Sequence, residues 1–269
     1  MQNEISKVLS SSHLTLIEKE NIEPRYINAS HLDEFLGKTS EQNSDAHSDE
    51  QNSDKENEEK QKRLSSESCE FQEIDKIVES TRQKTPDGKL GEPRFSYADF
   101  GTLAHAYLEA TVKNKKVEKI EKLLVEISDT ENEKRVKSIC SICEKMAENF
   151  KNSKIGKEAL SSSWKRSEFN FTYRVDQSTL KNFYPETKTN IQNEKIMNGS
   201  IDLIFQNDDL SYTIVDYKTD KEIENERHYT QLKCYRKVIS EMMNCDESKI
   251  KCVLYYLRYN QVEDISLKL

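Results

Sequence analysis

Two acids and a lysine stand close together in the second half of the sequence. Asp202 lies in MNGSIDLIFQ, and Asp216 and Lys218 lie in SYTIVDYKT. Both stretches have the composition of strands, and a turn centred on Asp209 would join them into a hairpin. That register sets Asp202 opposite Asp216, and side-chain alternation puts Lys218 on the same face. The pattern therefore predicts a patch of two carboxylates and one ammonium group.

Two carboxylates at that distance repel each other, and a cation between them relieves the repulsion. Oxygen ligands on a rigid sheet suit Mg²⁺ or Mn²⁺. Such an ion beside a lysine is suited to phosphodiester hydrolysis, because both stabilise negative charge on phosphate oxygens. The alternative is an ordinary Asp–Lys ion pair at the end of a sheet. The hairpin alone does not decide between them.

The elements that must position this patch follow from apolar periodicity. A helix begins at Asp99 and includes His105 and Glu109, and two further helical runs extend to about Ser161. The predicted strands are 164–175, 197–206, 211–219 and 249–257, and a helix is predicted at 224–243. Helices followed by three strands, a helix and a strand indicate an α/β fold with a mixed sheet.

The chain divides into three parts on composition. Residues 1–37 predict short helical elements, one of them at Asn28–Leu36. Residues 38–63 contain one apolar residue, and 41–60 hold eight acids and two bases, so we expect a disordered acidic linker over 38–68. Residues 69–269 form the predicted catalytic domain. TPDGKLGEPRF, residues 85–95, is expected to be a loop.

Other patterns exclude classes of function. The sequence has no apolar run long enough for a membrane helix and no apolar signal core, so we expect a cytoplasmic protein. It has no G-x-x-x-x-G-K-[ST] loop, so no ATP site is expected. Cys140 and Cys143 fall on the apolar face of a helix and lack a second cysteine or histidine pair, so we predict no metal or iron–sulfur cluster there.

Five motifs occur in a fixed order along the chain. They are Gly101-x-x-x-His105-x-x-x-Glu109, Glu168, Gly199-x-Ile201-Asp202, Val215-Asp216-Tyr217-Lys218 and Gln231-x-x-x-Tyr235. This order resembles the RecB-type branch of the PD-(D/E)xK nuclease superfamily, and it is most similar to the C-terminal nuclease domain of AddA/RecB helicase–nucleases. The resemblance implies a restriction-endonuclease-like fold. The proline of the superfamily's name is absent, since Ile201 precedes Asp202.

The resemblance also implies roles for these residues. The metal ligands would be His105, Asp202, Asp216 and the carbonyl of Tyr217. Lys218 would be the catalytic lysine, acting with Asp202 and Asp216. Gln231, Tyr235, Glu168 and Glu109 would support the site or contact DNA.

The function expected from this resemblance is a Mg²⁺-dependent or Mn²⁺-dependent DNA nuclease that processes ends in double-strand-break repair and recombination. The net charge of −8 gives no basic footprint for DNA, so a helicase partner is expected to supply the strand. Two alternatives stay open. The domain could be catalytically silent and dock a helicase or hold single-stranded DNA, or it could be a nuclease with an RNA or restriction target.

Overall fold

The computed structural model describes residues 26–36, 69–84, 90–117 and 130–269. Within these residues the strands are Tyr26–Asn28 (β1), Arg82–Lys84 (β2), Leu90–Pro93 (β3), Lys165–Val175 (β4), Lys195–Gln206 (β5), Tyr212–Lys218 (β6), Ile250–Tyr256 (β7) and Gln261–Asp264 (β8). The helices are Leu32–Phe35 (α1), Cys69–Ser80 (α2), Tyr97–Lys113 (α3), Thr130–Asn152 (α4), Lys154–Ser161 (α5), Gln177–Phe183 (α6) and Tyr229–Met243 (α7). The predicted acidic linker lies outside the described residues.

Six of the strands form one mixed sheet. β4 runs antiparallel to β5 along almost its whole length, β5 is antiparallel to β6, and β6 is parallel to β7. β8 is antiparallel to β7 at one end, and β1 is parallel to the start of β5. Long apolar side chains alternate across these strands, so both faces of the sheet are buried.

Helices cover both faces and confirm the predicted α/β fold with a mixed sheet. Helices α2 to α5 pack on one face, in a core that includes Phe100, Phe150 and Tyr255. Helices α1, α6 and α7 pack on the other face, in a core that includes Leu180 and Tyr235. The sheet is therefore the middle of three layers, and a residue on it can be reached from helices of either outer layer.

The structure contains elements that the sequence analysis did not predict. β1 precedes the short N-terminal helix and joins the main sheet, and Asn28 caps the 3₁₀ turn Ala29–His31 that follows it. The stretch predicted as a loop at 85–95 includes β3, which pairs with β2. α6 and β8 are also additional. Each is only three to seven residues long, and such short elements depend on tertiary packing more than on their own sequence.

One edge of β5 has a gap between two partners. On that edge β5 pairs with β1 through Asn198 and with β6 from Leu203 onward. The residues between them, 199–202, have no strand partner on that edge among the described residues. β4 pairs with the opposite edge throughout. This gap forms a notch in the edge of β5. The motif residue Asp202 is the last residue of the unpaired stretch.

Helix α3 is fixed against this notch by its cap and by one glycine. Ser96 and Asp99 form a capping box, in which each side chain accepts a hydrogen bond from the other residue's backbone N–H. At Gly101 a Cβ atom would lie 3.3 Å from the Thr219 hydroxyl. Because glycine has no Cβ, α3 can pack closely against the end of β6. His105 follows one turn later on the same helix.

Candidate active site

The hairpin register predicted from the sequence is confirmed. β5 and β6 pair Leu203 with Val215 and Ile204 with Ile214. Continuing this register by one residue sets Asp202 opposite Asp216, although the ladder itself ends at Leu203. Asp202 is held instead by a side-chain bond, since its Oδ2 accepts a hydrogen bond of 2.7 Å from the Tyr217 backbone N–H. The Asp202 carboxylate thus accepts the hydrogen bond that a backbone carbonyl of a paired strand would otherwise accept from the Tyr217 N–H.

Three side chains from three elements converge at the notch. His105 of α3, Glu168 of β4 and Asp202 of β5 each offer a ligand atom, and these atoms lie within 4.8 Å of one another. We call these three residues the acidic group. All three are partly exposed to solvent. An imidazole nitrogen and two carboxylate oxygens form a donor set that suits Mn²⁺ or Mg²⁺, so the residues present fit a divalent cation.

His105 sits between two hydrogen-bond acceptors. Its Nδ1 lies 3.3 Å from Asp202 Oδ1, and its Nε2 lies 3.2 Å from the Tyr217 carbonyl oxygen. Only the imidazolium form can donate to both acceptors. Burial lowers the pKa of His105, but Asp202 and, more weakly, Asp216 and Glu168 outweigh it and raise that pKa to about 9. The proton on His105 therefore partly neutralises the carboxylates when no metal is bound.

Glu168 reaches the acidic group through an irregularity in β4. It lies between the pairs Ser167–Leu203 and Phe169–Ile201, with a left-handed φ of 49°. A non-glycine residue in this conformation is strained, and such strain is concentrated at functional sites. Burial and the neighbouring Asp202 raise the pKa of Glu168, although His105 and a hydrogen bond from the Ser200 hydroxyl oppose the change. The carboxylate is thus held where negative charge is already in excess.

Asp216 and Lys218 form a second arrangement beside the acidic group. Lys218 Nζ lies 2.6 Å from Asp216 Oδ2, and their side chains are 16% and 5% exposed. Burial raises the pKa of Asp216 and the charge of Lys218 opposes this; burial lowers the pKa of Lys218 but Asp216 raises it overall. The structure brings both residues to the predicted place. Asp216, however, pairs with Lys218 and is not one of the three side chains whose ligand atoms converge.

Helix α7 closes the notch from the other face of the sheet. Tyr235 Oη donates to the Ser200 carbonyl on the unpaired edge of β5, at 2.9 Å. Gln231 Nε2 donates to Tyr235 Oη at 2.8 Å, and Gln231 Oε1 lies 3.5 Å from Lys218 Nζ. Since Ser200 also donates to Glu168, hydrogen bonds link Lys218 to the acidic group through α7. The spacing of four residues places Gln231 and Tyr235 on one helix face, as predicted.

Glu109 occupies the periphery of the site. It lies one turn after His105 on α3, pairs with Lys113, and acts on Glu168 through its charge alone.

The sequence analysis missed Ser200, whose hydroxyl donates a hydrogen bond to Glu168 and whose carbonyl accepts one from Tyr235. A serine between a glycine and an isoleucine carries no specific signal in a sequence. Its role depends on the gap in the sheet, which no local pattern reveals.

Comparison with known proteins identifies a family for most of the chain. The family model for the PD-(D/E)XK nuclease superfamily matches residues 71–267. That range contains the acidic group, Asp216, Lys218, Gln231 and Tyr235, and it excludes β1 and α1. A search of curated proteins finds no match.

One similar solved structure shows a low likeness to this chain. The crystal structure of SSO0001 is 14% identical, covers 61% of this chain and 74% of its own, and gives a TM-score of 0.27. A TM-score this low supports no inference about fold or activity. In the part of the chain that the structure describes, no helix is both long and apolar enough to cross a membrane.

Proposed function

Because the chain belongs to the PD-(D/E)XK nuclease superfamily, whose members use divalent metals, we propose that it is a Mg²⁺-dependent or Mn²⁺-dependent DNA nuclease. The observation that carries the proposal is the convergence of His105, Glu168 and Asp202 within 4.8 Å, beside the Asp216–Lys218 pair. An excess of carboxylates with a lysine next to it is the arrangement that phosphodiester hydrolysis requires.

The proposal gives each residue of the site a separate role. Asp202, Glu168 and His105 would hold the metal, and Asp216 would join them once it separates from Lys218. When bound, the ion lowers the pKa of water and offsets charge on a phosphate oxygen. The Tyr217 N–H fixes the Asp202 carboxylate. His105 must lose its proton before its nitrogen can act as a ligand.

Lys218 is suited to stabilise the phosphate. Its ammonium group lies at the end of β6, with Asp216 on one side and Gln231 on the other. If Asp216 were engaged by a metal, the Lys218 charge would be available to phosphate oxygens that gain negative charge during hydrolysis. Gln231 and Tyr235 keep the lysine and the unpaired edge of β5 in place, which supports their proposed role beside the DNA.

The wider setting follows the same proposal. We infer that the enzyme processes DNA ends in break repair and recombination in the cytoplasm, with a helicase that supplies the strand, as in AddA/RecB enzymes. The basic residues form only local clusters, such as Lys113–Lys119 and Lys165-Arg166, and this supports the need for a partner, because the chain gains little from counterion release on DNA.

The test is digestion of linear single-stranded DNA, double-stranded DNA and RNA of one sequence, with Mg²⁺, Mn²⁺ or EDTA. We expect metal-dependent cleavage of DNA that is lost in Asp202→Asn. The matched control is Asp208→Asn, an exposed aspartate in the turn between β5 and β6. Folded protein that cleaves nothing in either metal, alone or with a helicase, would favour the catalytically silent module. Preferential loss of RNA would assign the other substrate.

A further inference from the structure

A cleft opens beside the acidic group, on the side of the notch that faces β1. Its volume is about 550 Å³, and Asp202 forms part of its wall. Among the described residues, the remaining polar side chains of the wall are neutral amides and hydroxyls, and none is a lysine or an arginine. A cleft of this size matches an organic ligand as large as a nucleotide. Its chemistry differs sharply from that of the charged site next to it.

The strand register aligns the amides of this cleft. Asn28 of β1 and Asn198 of β5 are direct partners, and Asn198 also lies opposite Thr172 of β4. The next row toward the acidic group contains Asn170 opposite Ser200, and the row after it contains Glu168 and Asp202. Since residues two apart share a face, a ladder of polar side chains leads from β1 to the acidic group.

The amides of this ladder have hydrogen-bonding capacity to spare. Asn28 Oδ1 accepts from the Ser30 N–H at 3.1 Å and from its hydroxyl at 2.8 Å, so the oxygen of Asn28 is fixed and its NH₂ group is left to donate elsewhere. Asn198 Oδ1 accepts from the Thr172 hydroxyl at 2.9 Å. Within the described residues neither NH₂ group donates a hydrogen bond. Both amides line the cleft.

Neutral amides recognise bases better than phosphates. Phosphates are held chiefly by lysine, arginine and backbone N–H groups, whereas asparagine and glutamine pair with the donor and acceptor edges of bases. In a duplex the Watson–Crick edge of a base is already paired and the base is held in the stack, so a cleft that takes up a whole base favours one that has no partner. Because Asp202 borders both the cleft and the acidic group, a nucleotide in the cleft has its phosphate next to the reacting position.

We propose that this cleft binds the base of an unpaired nucleotide beside the scissile phosphate, and that Asn28 and Asn198 are the residues that hold it. This rests on the proposed nuclease function. β1 lies outside the residues that match the family, so the N-terminal segment supplies one wall of the substrate site and is more than an attachment to the domain.

The experiment uses the full chain and a fluorescein-labelled single-stranded 16-mer in which one abasic residue is moved along the strand. In the wild type, we expect an abasic residue at one position near the cleaved bond to lower kcat/KM about tenfold. The variant Asn28→Ser/Asn198→Ser keeps a side-chain oxygen at each place and removes both NH₂ groups. This double variant should cleave the intact 16-mer about tenfold more slowly than the wild type does. The abasic residue should not lower the kcat/KM of the double variant any further.

The control is Asn193→Ala, an exposed asparagine in the loop before β5. It should behave as the wild type in every arm. The inference is overturned if the abasic residue slows the wild type and the double serine variant equally, slows neither, or if blunt duplex is cleaved faster than single strand. A melting curve checks that the double variant is folded.

A second readout separates this inference from the nuclease proposal. If no oligonucleotide is cleaved in any metal, alone or with a helicase, the proposed function fails. Binding of the same 16-mers is then measured by fluorescence anisotropy in EDTA. An abasic residue should weaken binding to the wild type and leave binding to Asn28→Ser/Asn198→Ser unchanged, and equal effects on both would overturn the cleft assignment on its own.

Discussion

Asp202 and Asp216 lie opposite each other in one hairpin, yet their surroundings are opposite in kind. Asp202 belongs to a partly exposed group with two carboxylates and one histidine, so negative charge is in excess. Asp216 is buried and already has the ammonium group of Lys218 at 2.6 Å. The first site keeps negative charge in excess even when His105 is protonated, whereas the second contains its own cation. We therefore propose that the Asp202 side would hold a divalent cation first, and that Asp216 would leave Lys218 to join it.

The largest expected effect is on metal binding. Asp202→Asn should reduce Mn²⁺ binding below detection by calorimetry, because it removes one of the two carboxylates of the acidic group, the one that contacts His105. Asp216→Asn should keep binding, about tenfold weaker, since its carboxylate is engaged with Lys218. Equal loss in both variants would contradict the comparison and make the two carboxylates equal ligands.

The second effect is on stability and concerns the buried pair. Lys218→Met leaves Asp216 without its partner, and we expect the free energy of unfolding in EDTA to fall by about 3–5 kcal/mol. Lys115→Met, an exposed lysine after α3, is the matched control and should change little. Saturating Mn²⁺ should restore much of the lost stability, because the metal gives Asp216 another positive partner. Urea unfolding measures both quantities, and an unchanged midpoint would show that the pair is not structural.

The third effect is the pH dependence of the metal-free protein. The pKa of His105 rises from 6.5 to about 9 on folding, so its contribution is fully present below pH 6.5 and is lost as pH rises through 9. We expect about 2 kcal/mol of stability to disappear between pH 6.5 and 9 in EDTA, after allowance for the partial exposure of the ring. His105→Asn should flatten this slope, and His31→Asn should not.

The smallest expected effect concerns the hydrogen bonds by which α7 holds the site. Tyr235→Phe removes the hydroxyl that links Gln231 to the Ser200 carbonyl, at a cost of about 1 kcal/mol in stability. The rate of cleavage should fall about tenfold, because the hydrogen bonds that link Lys218 to the unpaired edge of β5 through Gln231 and Tyr235 are broken. Mn²⁺ affinity should hardly change, since neither Tyr235 nor Gln231 is in the acidic group. A large loss of metal affinity would mean that the two regions are not separable.

Local patterns in the sequence determined much of this protein. Alternating apolar residues specified β4, and apolar runs specified β5 to β7, since a strand buried on both faces needs apolar residues on both, while helical periodicity specified α3 to α5 and α7. The turn at Asp209 specified the hairpin register and with it the opposition of Asp202 and Asp216. The order of the motifs led to the superfamily. Each of these signals is carried by residues close together in the chain.

Only the tertiary structure determined that the site consists of two parts, the acidic group and the Asp216–Lys218 pair. Whether Asp216 turns to Lys218 or to Asp202 depends on burial and on the distance between charges, and neither has a sequence period. The unpaired stretch of β5 arises because β1 and β6 share one edge of that strand, and the left-handed conformation of Glu168 belongs to an irregularity of β4 on the other edge. Asn28 reaches the cleft from about 170 residues before Asn198, through a parallel pairing that no local signal encodes.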